Sequence, residues 1–569
     1  MSASPTTAAP AAGTRMSQRE VLEALSGLLL GMFVSMLAAT VVSTSLPIIV
    51  NDLDGDQTAF TWVVTSTLLT TAIATPIWGK LADLFNRKML FQLSLVLFVV
   101  ATAAAGLSPN IEMLIAFRAL QGIGAGGLAA LSQVLMADII SPRERGRYMG
   151  LFGGVMALAT IGGPLLGGVI TDAWGWRWNF YVALPVAVAA LIIVQRTLRL
   201  GDRERRKVSI DYLGIVLLAA AVSSLLIWVT LAGSSFDWWS METLLMAGGG
   251  VLGVIAFVIV ELRSPEPLVP LTLFRDRTFT LSVLASIATG IAMFGATVFL
   301  SQYMQLARGA TPTEAGLMTL PMIGGMLLAS VLIGALITRY GHWKPYVVLG
   351  SVMMIAGTYL LSTIAYDTPF VFVSVYMFLL GAGVGMTMQN LVLVVQNTAD
   401  PRQIGAASSG VTFFRSLGGT AGVSVMGAAL ATRIADLIDS RQGDIMATLA
   451  SLGPVGAEWA AKLQSGAIPR VAEMPDALRV IFEDMYANGI SHSFLIAVPF
   501  AVLSLIAILF LPNTPLTRMT TAERLQASEA DLATVSVPEA METLTATGSV
   551  PVASHADGNG RRARRSRRP

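Results

Sequence analysis

The chain has 569 residues, of which 54% are hydrophobic and 13% are charged, about half of the charged fraction of a soluble domain. A water-soluble fold needs a polar surface that this composition does not supply, which argues against a soluble enzyme, a disordered scaffold or a nucleic-acid-binding domain. The absence of cysteine excludes disulfides, thiolate catalysis and cysteine-ligated metal centres. The net charge of +2 is uninformative, whereas the placement of the charges is not.

Apolar stretches dominate the chain after a polar start. Residues 1–22 are rich in Ala, Pro and Thr and are predicted to be disordered. Fourteen apolar stretches of about 18–25 residues follow, each long enough to cross a bilayer as a helix. They are 25–49, 60–80, 89–107, 112–136, 148–171, 178–197, 212–232, 242–261, 279–303, 314–338, 345–365, 369–393, 406–430 and 491–512. The sequence therefore predicts an all-α membrane protein with 14 transmembrane helices.

The basic residues predict the orientation of these helices. With the N-terminus inside, the short inner loops carry 18 Lys and Arg residues and the short outer loops carry 2, so the positive-inside rule places both termini in the cytoplasm. We expect a cell membrane, inner or plasma. The tail 513–569 is predicted to be disordered, and its arginines between Arg561 and Arg568 favour anionic lipid or solvent over nucleic acid.

An internal repeat relates two parts of the chain at a constant offset of 259 residues. It maps Gly122, Gly124, Gly126, Pro142, Arg143, Gly146, Gly163 and Gly168 onto Gly381, Gly383, Gly385, Pro401, Arg402, Gly405, Gly422 and Gly427. A fainter copy links Gly79 to Gly334 at an offset of 255. We therefore predict two six-helix pseudo-repeat bundles, at 23–200 and 278–512, the second with an outer loop at 431–490. Two inserted helices occupy 201–277. Two parallel halves are typical of a transporter, and a duplicated scaffold is the alternative.

Four motifs fall on consecutive parts of the first bundle. The loop after the second stretch reads Gly79-Lys-Leu-Ala-Asp83-Leu-Phe-Asn-Arg87-Lys88, and the fourth stretch holds Arg118-Ala-Leu-Gln121-Gly122. The fifth holds Gly163-Pro164-Leu-Leu-Gly167-Gly168, and Trp176-Arg-Trp178-Asn-Phe180 precedes the sixth. Together these motifs resemble those of the major facilitator superfamily, specifically its fourteen-span drug–proton antiporter family. The similarity covers about 25–512, with Asn86 where the family usually has glycine.

The first loop is the candidate gating element. Gly79 suits a tight turn, and Asp83 is suited to accept hydrogen bonds from helix N-terminal amides or to pair with arginine. Arg87 and Lys88 are expected to anchor the turn at the inner headgroups. The resemblance implies that this loop latches the two halves when the cavity opens outward, and a basic loop that merely sets the topology is the alternative.

The glycine-rich fifth stretch is the second gating candidate. Gly163, Pro164, Gly167 and Gly168 form a bare helix face that permits close packing and bending. The resemblance implies a seal that limits leak.

Arg118 lies within the fourth stretch, where a charge must face a cavity or a partner rather than lipid. Gln121 lies one turn further on the same face, and the resemblance implies that the two take part in proton relay. The family usually has an aspartate in the first span where this chain has Ala38, and no acidic residue lies near the middle of any predicted span. Proton coupling through Asp138, coupling through Asp83 and no coupling at all remain open.

The family geometry also implies a substrate cavity lined by the first, fourth, ninth and twelfth spans. The candidate lining residues are Phe33, Thr40, Gln133, Phe294, Gln302, Met386, Gln389 and Asn390. Aromatic and methionine side chains with a few amides suit a permissive apolar pocket, and ordinary helix packing is the alternative for each. Because the spans lack a central acid but contain Arg118 and Arg415, we expect neutral or anionic amphiphiles rather than multivalent cations.

The sequence thus favours a secondary transporter that exports drugs or amphiphilic natural products in exchange for protons by alternating access. A lipid or siderophore exporter with weak or no coupling, and a non-transporting scaffold or receptor, remain the alternatives. The expected partners are the lipid bilayer, a small amphiphilic substrate and protons, with no nucleic acid, and we expect a monomer. We expect no cofactor and no metal, with the proton gradient as energy source. The sequence shows no nucleophile–base pair that would indicate an enzyme. The glycines at 122–127 match the dinucleotide-binding fingerprint, but they lie inside an apolar span with no preceding strand, so we reject nucleotide binding.

Overall fold

The computed structural model describes residues 18–53, 57–198, 211–232, 236, 238–310, 312–464, 474–521 and 523–527. Across these residues the secondary structure is helical, apart from one isolated bridge between Ala232 and Phe236. Twelve helical segments are long and apolar enough to cross a membrane. The prediction of an all-α protein with many membrane-spanning helices is therefore confirmed.

The first bundle contains seven helices. They are α1 (Gln18–Asp52), α2 (Gln57–Leu84), α3 (Arg87–Gly106), α4 (Ile111–Ile139), α5 (Pro142–Trp174), α6 (Trp178–Tyr181) and α7 (Ala183–Thr197). Within the bundle α4 packs on α2 and α3, whereas α1 packs on α5 and α7. Asn86 and Asn110 accept amide hydrogen bonds from the third residues of α3 and α4, which fixes where these helices begin.

The remaining helices form an inserted pair and a second bundle. The pair is α8 (Tyr212–Leu231) and α9 (Met241–Glu261), and a 3₁₀ turn at Leu271–Arg275 follows it. The second bundle contains α10 (Arg277–Gln302), a π turn (Tyr303–Ala307), α11 (Pro312–Met318), α12 (Leu320–Tyr340), α13 (Lys344–Leu361), α14 (Phe370–Thr398), α15 (Ile404–Ser440), α16 (Gln442–Ser451), α17 (Gly453–Gln464) and α18 (Asp476–Leu509). Here α14 packs on α12 and α13, and α10 packs on α15 and α18.

The two bundles meet along two pairs of helices. α2 packs against α15, and α5 packs against α12. Along the first seam, apolar residues of α2 and α15 such as Ile73 and Phe413 pack in one cluster, and burial of their apolar surface stabilises the contact. The polar contacts between the bundles concentrate at one end, where α2, α4 and α14 end and α3, α5 and α15 begin. We call this the Asp83 end.

The segments 1–22 and 513–569 were predicted to be disordered, but each contains residues that belong to the fold. α1 already begins at Gln18, because Val21 belongs to the buried core of the first bundle. Residues beyond 513 also pack on the fold: the Trp343 indole donates a 2.8 Å hydrogen bond to the Thr514 carbonyl, and the Thr521 hydroxyl donates one of 2.8 Å to the Ala137 carbonyl. The arginines at 561–568 lie outside the described residues.

Candidate functional site

The Asp83 carboxylate connects the two bundles. It lies in the last turn of α2 and accepts 2.8 Å hydrogen bonds from the backbone N–H groups of Gly405 and Ala406, one to each oxygen. These two amides belong to the first turn of α15, where backbone donors have no partner within the helix. The helix dipole adds a favourable interaction with the negative charge. A side chain of the first bundle therefore caps a helix of the second.

Arg87 holds Asp83 in place. Its side chain is 2% exposed and donates to Asp83 Oδ1 over 3.3 Å, forms a second ion pair with Asp138 at the end of α4, and donates to the Ala82 carbonyl over 2.9 Å. One guanidinium thus joins the ends of three helices. The sequence analysis assigned Arg87 and Asp138 to different roles, and the structure brings them into one cluster with Asp83.

Gly79 lies inside α2, so the expectation of a tight turn at this residue is wrong. A Cβ at Gly79 would clash with the Ser409 hydroxyl and lie 2.8 Å from the Gly405 carbonyl oxygen of α15. Glycine is needed here because the two helix backbones come close together. This contact lies about one turn before Asp83, so both residues belong to the same contact between the bundles.

The sequence analysis expected Lys88 to anchor the turn at the headgroups, but its side chain contacts the end of α7 instead. Its ammonium donates to the carbonyl oxygens of Gln195, over 2.9 Å, and Leu198, over 2.8 Å, at the end of α7. In the second bundle Lys344 does the same at the end of α18, donating to the carbonyls of Leu509 and Leu511. Both lysines satisfy carbonyls that lack an intrahelical partner.

Arg145 forms a second polar contact between the bundles and was missed by the sequence analysis. It is buried in the first turn of α5, donates to the side-chain oxygen of Gln396 on α14, and donates to the Ile140 carbonyl over 3.1 Å. Gln396 in turn donates to the Ser408 hydroxyl of α15 over 2.8 Å. The repeat maps Arg145 onto an apolar position, so pattern matching gave no signal for it.

The inserted pair lies over the seam between α2 and α15. Ile73 of α2, Val222 of α8 and Phe413 of α15 belong to one apolar cluster. At the Asp83 end, Lys80 of α2 forms a 3.0 Å ion pair with Glu266, which follows α9. The carboxylate of Glu261 accepts hydrogen bonds from the backbone N–H groups of residues 268 and 269 and so holds this turn.

Two of the three residues predicted for proton relay, Arg118 and Gln121, are in direct contact, whereas the third, Asp138, pairs with Arg87. Arg118 is 3% exposed and donates to the side-chain oxygen of Gln121 over 2.6 Å and to the Val63 carbonyl over 3.3 Å. Gln121 donates to the Thr102 hydroxyl over 2.8 Å. These bonds connect α2, α3 and α4 within the first bundle.

Gly163 and Gly167 of α5 face α1. A Cβ at Gly163 would clash with the Thr40 hydroxyl, and one at Gly167 would lie 2.7 Å from the Val41 carbonyl oxygen. The Thr40 hydroxyl also donates to the Ala159 carbonyl over 2.9 Å. The contact is thus internal to the first bundle. The side chain of Pro164, and the surroundings of Gly168, lie outside the description.

The predicted cavity residues are spread over several contacts. Gln133 donates to the Thr412 hydroxyl over 3.5 Å and so reaches the second bundle, whereas Met386 is buried against Gly350 of α13. Phe33 packs in an apolar cluster of α1 and α5, and Phe294 packs on Gly419. Asn390 donates a hydrogen bond to the Met386 carbonyl of its own helix. Among the described residues, the buried side-chain oxygen of Gln302 has no hydrogen-bond partner, and Gln389 is half-buried. A cavity of about 120 Å³ between α10, α15 and α18 is lined by none of them.

The structure is that of a helical membrane protein whose two bundles contact each other along two helix pairs and through polar groups at one end. The chain belongs to the Major Facilitator Superfamily, whose family model matches residues 28–423. The resemblance drawn from the four motifs is therefore confirmed, and the protein is a transporter rather than an enzyme.

Named relatives and solved structures agree with this assignment. The chain is 35% identical over 450 residues to the multidrug transporter protein MdtP of Bacillus subtilis (strain 168), covering 79% of this chain and 82% of that protein. It is 31% identical over 490 residues to multidrug resistance protein 3 of the same organism, covering 85% and 94%. The proton:xylose symporter XylE, bound to 6-bromo-6-deoxy-D-glucose, matches in fold with a TM-score of 0.55 at 15% identity, covering 89% and 99%.

Proposed function

We propose that this protein is a secondary active transporter that exports drugs or amphiphilic natural products across the cell membrane by alternating access, in exchange for protons. The observation that carries the proposal is the capping of α15 by Asp83, because this contact holds the two bundles together at one end. The names of the two Bacillus subtilis relatives support a multidrug substrate range.

The proposed architecture has fourteen spans, in two six-helix bundles and one inserted pair. α2 and α5 supply the two spans beyond the twelve apolar ones, since their 28 and 33 residues are long enough to cross. α2 is rich in threonine and α5 in glycine, which lowers their hydropathy without adding charge in their central parts.

Equivalent glycine contacts support the proposed repeat. In the first bundle, a Cβ at Gly122 would clash with the Thr67 carbonyl of α2, and in the second a Cβ at Gly381 would clash with the Met322 carbonyl of α12. Two further pairs correspond in the same way: Gly124 with Gly383, against α3 and α13, and Gly126 with Gly385, against α2 and α12. Two bundles with the same internal packing are suited to rock as rigid bodies.

The Lys and Arg distribution places the Asp83 end, and both termini, at the cytoplasmic side in this proposal. The described conformation is then closed towards the cytoplasm by the contacts of Asp83, Gly79 and Arg145 with the second bundle. Opening this end requires the two amide hydrogen bonds to Asp83 to break. Hydrogen bonds to a charged group contribute about 1.5–3 kcal/mol each, so the contact is strong enough to bias the two conformations but weak enough to be reversed.

Proton coupling is proposed to act through the same carboxylates. Ala38 is buried in the core of the first bundle, so the first span supplies no acid there. Asp83 and Asp138 share Arg87, and protonation of Asp83 would remove the negative charge that caps α15. Loss of this charge would weaken the closed conformation, and exchange for export requires that the proton reach Asp83 from the outer side and leave to the cytoplasm after this end has opened. An exporter without coupling is the alternative, and an uncoupler separates the two because it stops coupled export and leaves uncoupled export unchanged.

The test is export in proteoliposomes with an imposed pH gradient, comparing the wild type with Asp83→Asn. We expect the variant to insert normally and to lose transport, because an amide cannot supply the negative charge and accepts with one oxygen. Asp400→Asn is the control: this exposed aspartate lies at the same end and accepts a 2.8 Å bond from Arg402 N within its own loop. Full transport by Asp83→Asn would contradict the proposed gate.

A further inference from the structure

Buried charges are rare in the described chain. Among the described residues, the buried charged ones are Arg87, Arg118, Arg145, Glu261 and Arg415, and the Asp83 side chain is also buried. Arg87, Arg145 and Glu261 lie at the ends of their helices, where carbonyls, amides or loops provide polar partners. Arg118 and Arg415 lie inside α4 and α15. A charge in the middle of a membrane is costly and is retained where it faces a partner or a cavity.

The partners of the two interior arginines differ. Arg118 donates to a side-chain oxygen, that of Gln121, over 2.6 Å and to a backbone carbonyl. Arg415 is 4% exposed, and in the part of the chain that the structure describes its guanidinium makes one hydrogen bond, of 3.2 Å, to the Met388 carbonyl of α14. A guanidinium has five N–H donors in a planar fork. Arg415 therefore has both an unneutralised charge and unused donors.

The position of Arg415 connects it to the contact between the bundles. Ser408, Thr412 and Arg415 share one face of α15, at helical spacings of four and three. The Ser408 hydroxyl accepts a hydrogen bond from the side-chain amide of Gln396, and the Thr412 hydroxyl accepts one from that of Gln133 in the first bundle. Arg415 follows these two towards the membrane centre, eleven residues or about 16 Å from the start of α15.

The neighbouring helix α10 lies in close contact with Arg415. Gly290 of α10 packs directly against the backbone and the Cγ atom of Arg415. Because Gly290 has no side chain, α10 can pack closely on Arg415, and since Arg415 is buried in the described conformation, a ligand reaches its guanidinium only after the helices move. The arginine thus reaches between α10 and α14, which by the proposed repeat correspond to α1 and α4 of the first bundle.

We propose that Arg415 binds the carboxylate or sulfonate group of an amphiphilic anionic substrate, an inference that rests on the proposed export function. A desolvated guanidinium pairs with these groups through two parallel hydrogen bonds. The acidic residues of the described spans lie near helix ends, so the interior charge is positive and repels cations. Arg118, whose hydrogen bonds remain within the first bundle, is assigned no contact with substrate.

The experiment uses two dyes with the same xanthene skeleton and opposite charge, fluorescein and rhodamine 123. Binding to the purified full-length protein is measured by fluorescence polarisation, and flux is measured in proteoliposomes. The variants are Arg415→Gln and Arg415→Lys, with Arg433→Gln as control. Arg433 lies on the same helix, and its side chain contacts Asn488 in a part of the molecule that is exposed. Elution volume and thermal unfolding report whether each variant folds.

We expect Arg415→Gln to weaken fluorescein binding at least about tenfold, as removal of a charge-assisted pair does, and to leave rhodamine 123 binding unchanged or improved. Arg415→Lys retains the charge without the fork, so it should bind fluorescein with intermediate affinity. Arg433→Gln should match the wild type. Since lysine preserves the charge inside the bundle, this variant tests the site even if Arg415→Gln fails to fold.

The outcomes separate the anion site from the export function. Fluorescein binding that depends on Arg415 but occurs without flux supports the site and contradicts export. If the protein transports rhodamine 123 but neither binds nor transports fluorescein, the export function is supported and the anion site is overturned. Equal fluorescein affinity in the wild type and Arg415→Lys, or no fluorescein binding by the wild type, also overturns the site.

Discussion

Asp83 and Gly405 are 322 positions apart in the sequence and are joined by a 2.8 Å hydrogen bond from the Gly405 backbone N–H to the Asp83 carboxylate. The bond joins the end of one helix in the first bundle to the start of another in the second. Movement of the bundles that opens this end must break it. The same end carries the contact of Gly79 with α15, the ion pairs of Arg87 and the contact of Arg145 with α14.

Gly79→Ala should impair transport, because a Cβ at this position would clash with the Ser409 hydroxyl and push α2 away from α15. Helix propensity works in the opposite direction, since alanine favours a helix interior over glycine by about 1 kcal/mol. Gly248→Ala in α9 is the control, because a Cβ at Gly248 meets nothing within 4 Å. We expect at least about a tenfold loss of export in proteoliposomes for Gly79→Ala. Equal export by both variants would show that the close approach is not needed.

Arg87→Ala should destabilise the protein strongly, since it leaves the carboxylates of Asp83 and Asp138 near each other without their shared cation. Breaking a buried ion pair by removing one partner costs about 3–5 kcal/mol. Asp138→Asn keeps the cation paired with Asp83 and should cost less. Thermal unfolding of the purified protein measures both effects. A larger loss for Asp138→Asn than for Arg87→Ala would contradict the central position of Arg87 in this cluster.

The Lys80–Glu266 ion pair should appear as a coupling energy between α2 and the segment after α9. The two side chains are 12% and 28% exposed, so the coupling should be about 0.5–1 kcal/mol. Lys80→Glu and Glu266→Lys should each lower the midpoint of thermal unfolding, and the double exchange should restore most of it. High salt should reduce the restoration. If the decrease in unfolding midpoint of the double variant equals the sum of the decreases of the two single variants, the pair does not join the inserted helices to the first bundle.

Asp52 should contribute to stability in a pH-dependent way. The hydrogen bond that the Trp176 indole donates to Asp52 over 2.8 Å lowers the pKa of this carboxyl, and Arg177 lowers it further, from its ordinary value of 3.8. A pKa that is lower in the folded state adds stability above the unfolded value, and this contribution is lost as the pH falls through the folded value.

The matching measurement is the difference in unfolding midpoint between the wild type and Asp52→Asn as a function of pH. We expect the wild type to be more stable at pH 7 and the difference to shrink once the pH falls below 3.8. A difference that is constant from pH 7 to below this value would mean that the charge of Asp52 has no part in the contact with Trp176.

Local patterns account for the parts of the fold that were predicted correctly. Long apolar runs must form helices in lipid, because each backbone polar group needs a partner inside its own segment. The caps at Asn86 and Asn110 are also local, since each acts on the next turn of chain, but the sequence analysis did not use them. Arg118 and Gln121 are three residues apart in one helix, so their contact follows from helical spacing.

The errors concern residues whose partners lie far away in the sequence. Gly79 was assigned to a turn, but α15 decides its role. Lys88 was assigned to the headgroups, but the end of α7 lies within its reach. Arg145 has its partner on α14, 251 positions away. No local pattern reports such a partner, because it is set by how the bundles dock.

The sequence by itself determined the helical class, the many spans, the family motifs and the presence of charge inside the spans, because the bilayer and the geometry of the helix act on each segment separately. The tertiary structure alone decided which groups those charges meet. Asp83 caps α15, Arg87 gathers two carboxylates, and Arg118 finds its partners within its own bundle while Arg415 lies near the contact with the other. Such contacts depend on the docking of two bundles that are separated in sequence, and docking is decided by the summed packing of whole helix faces.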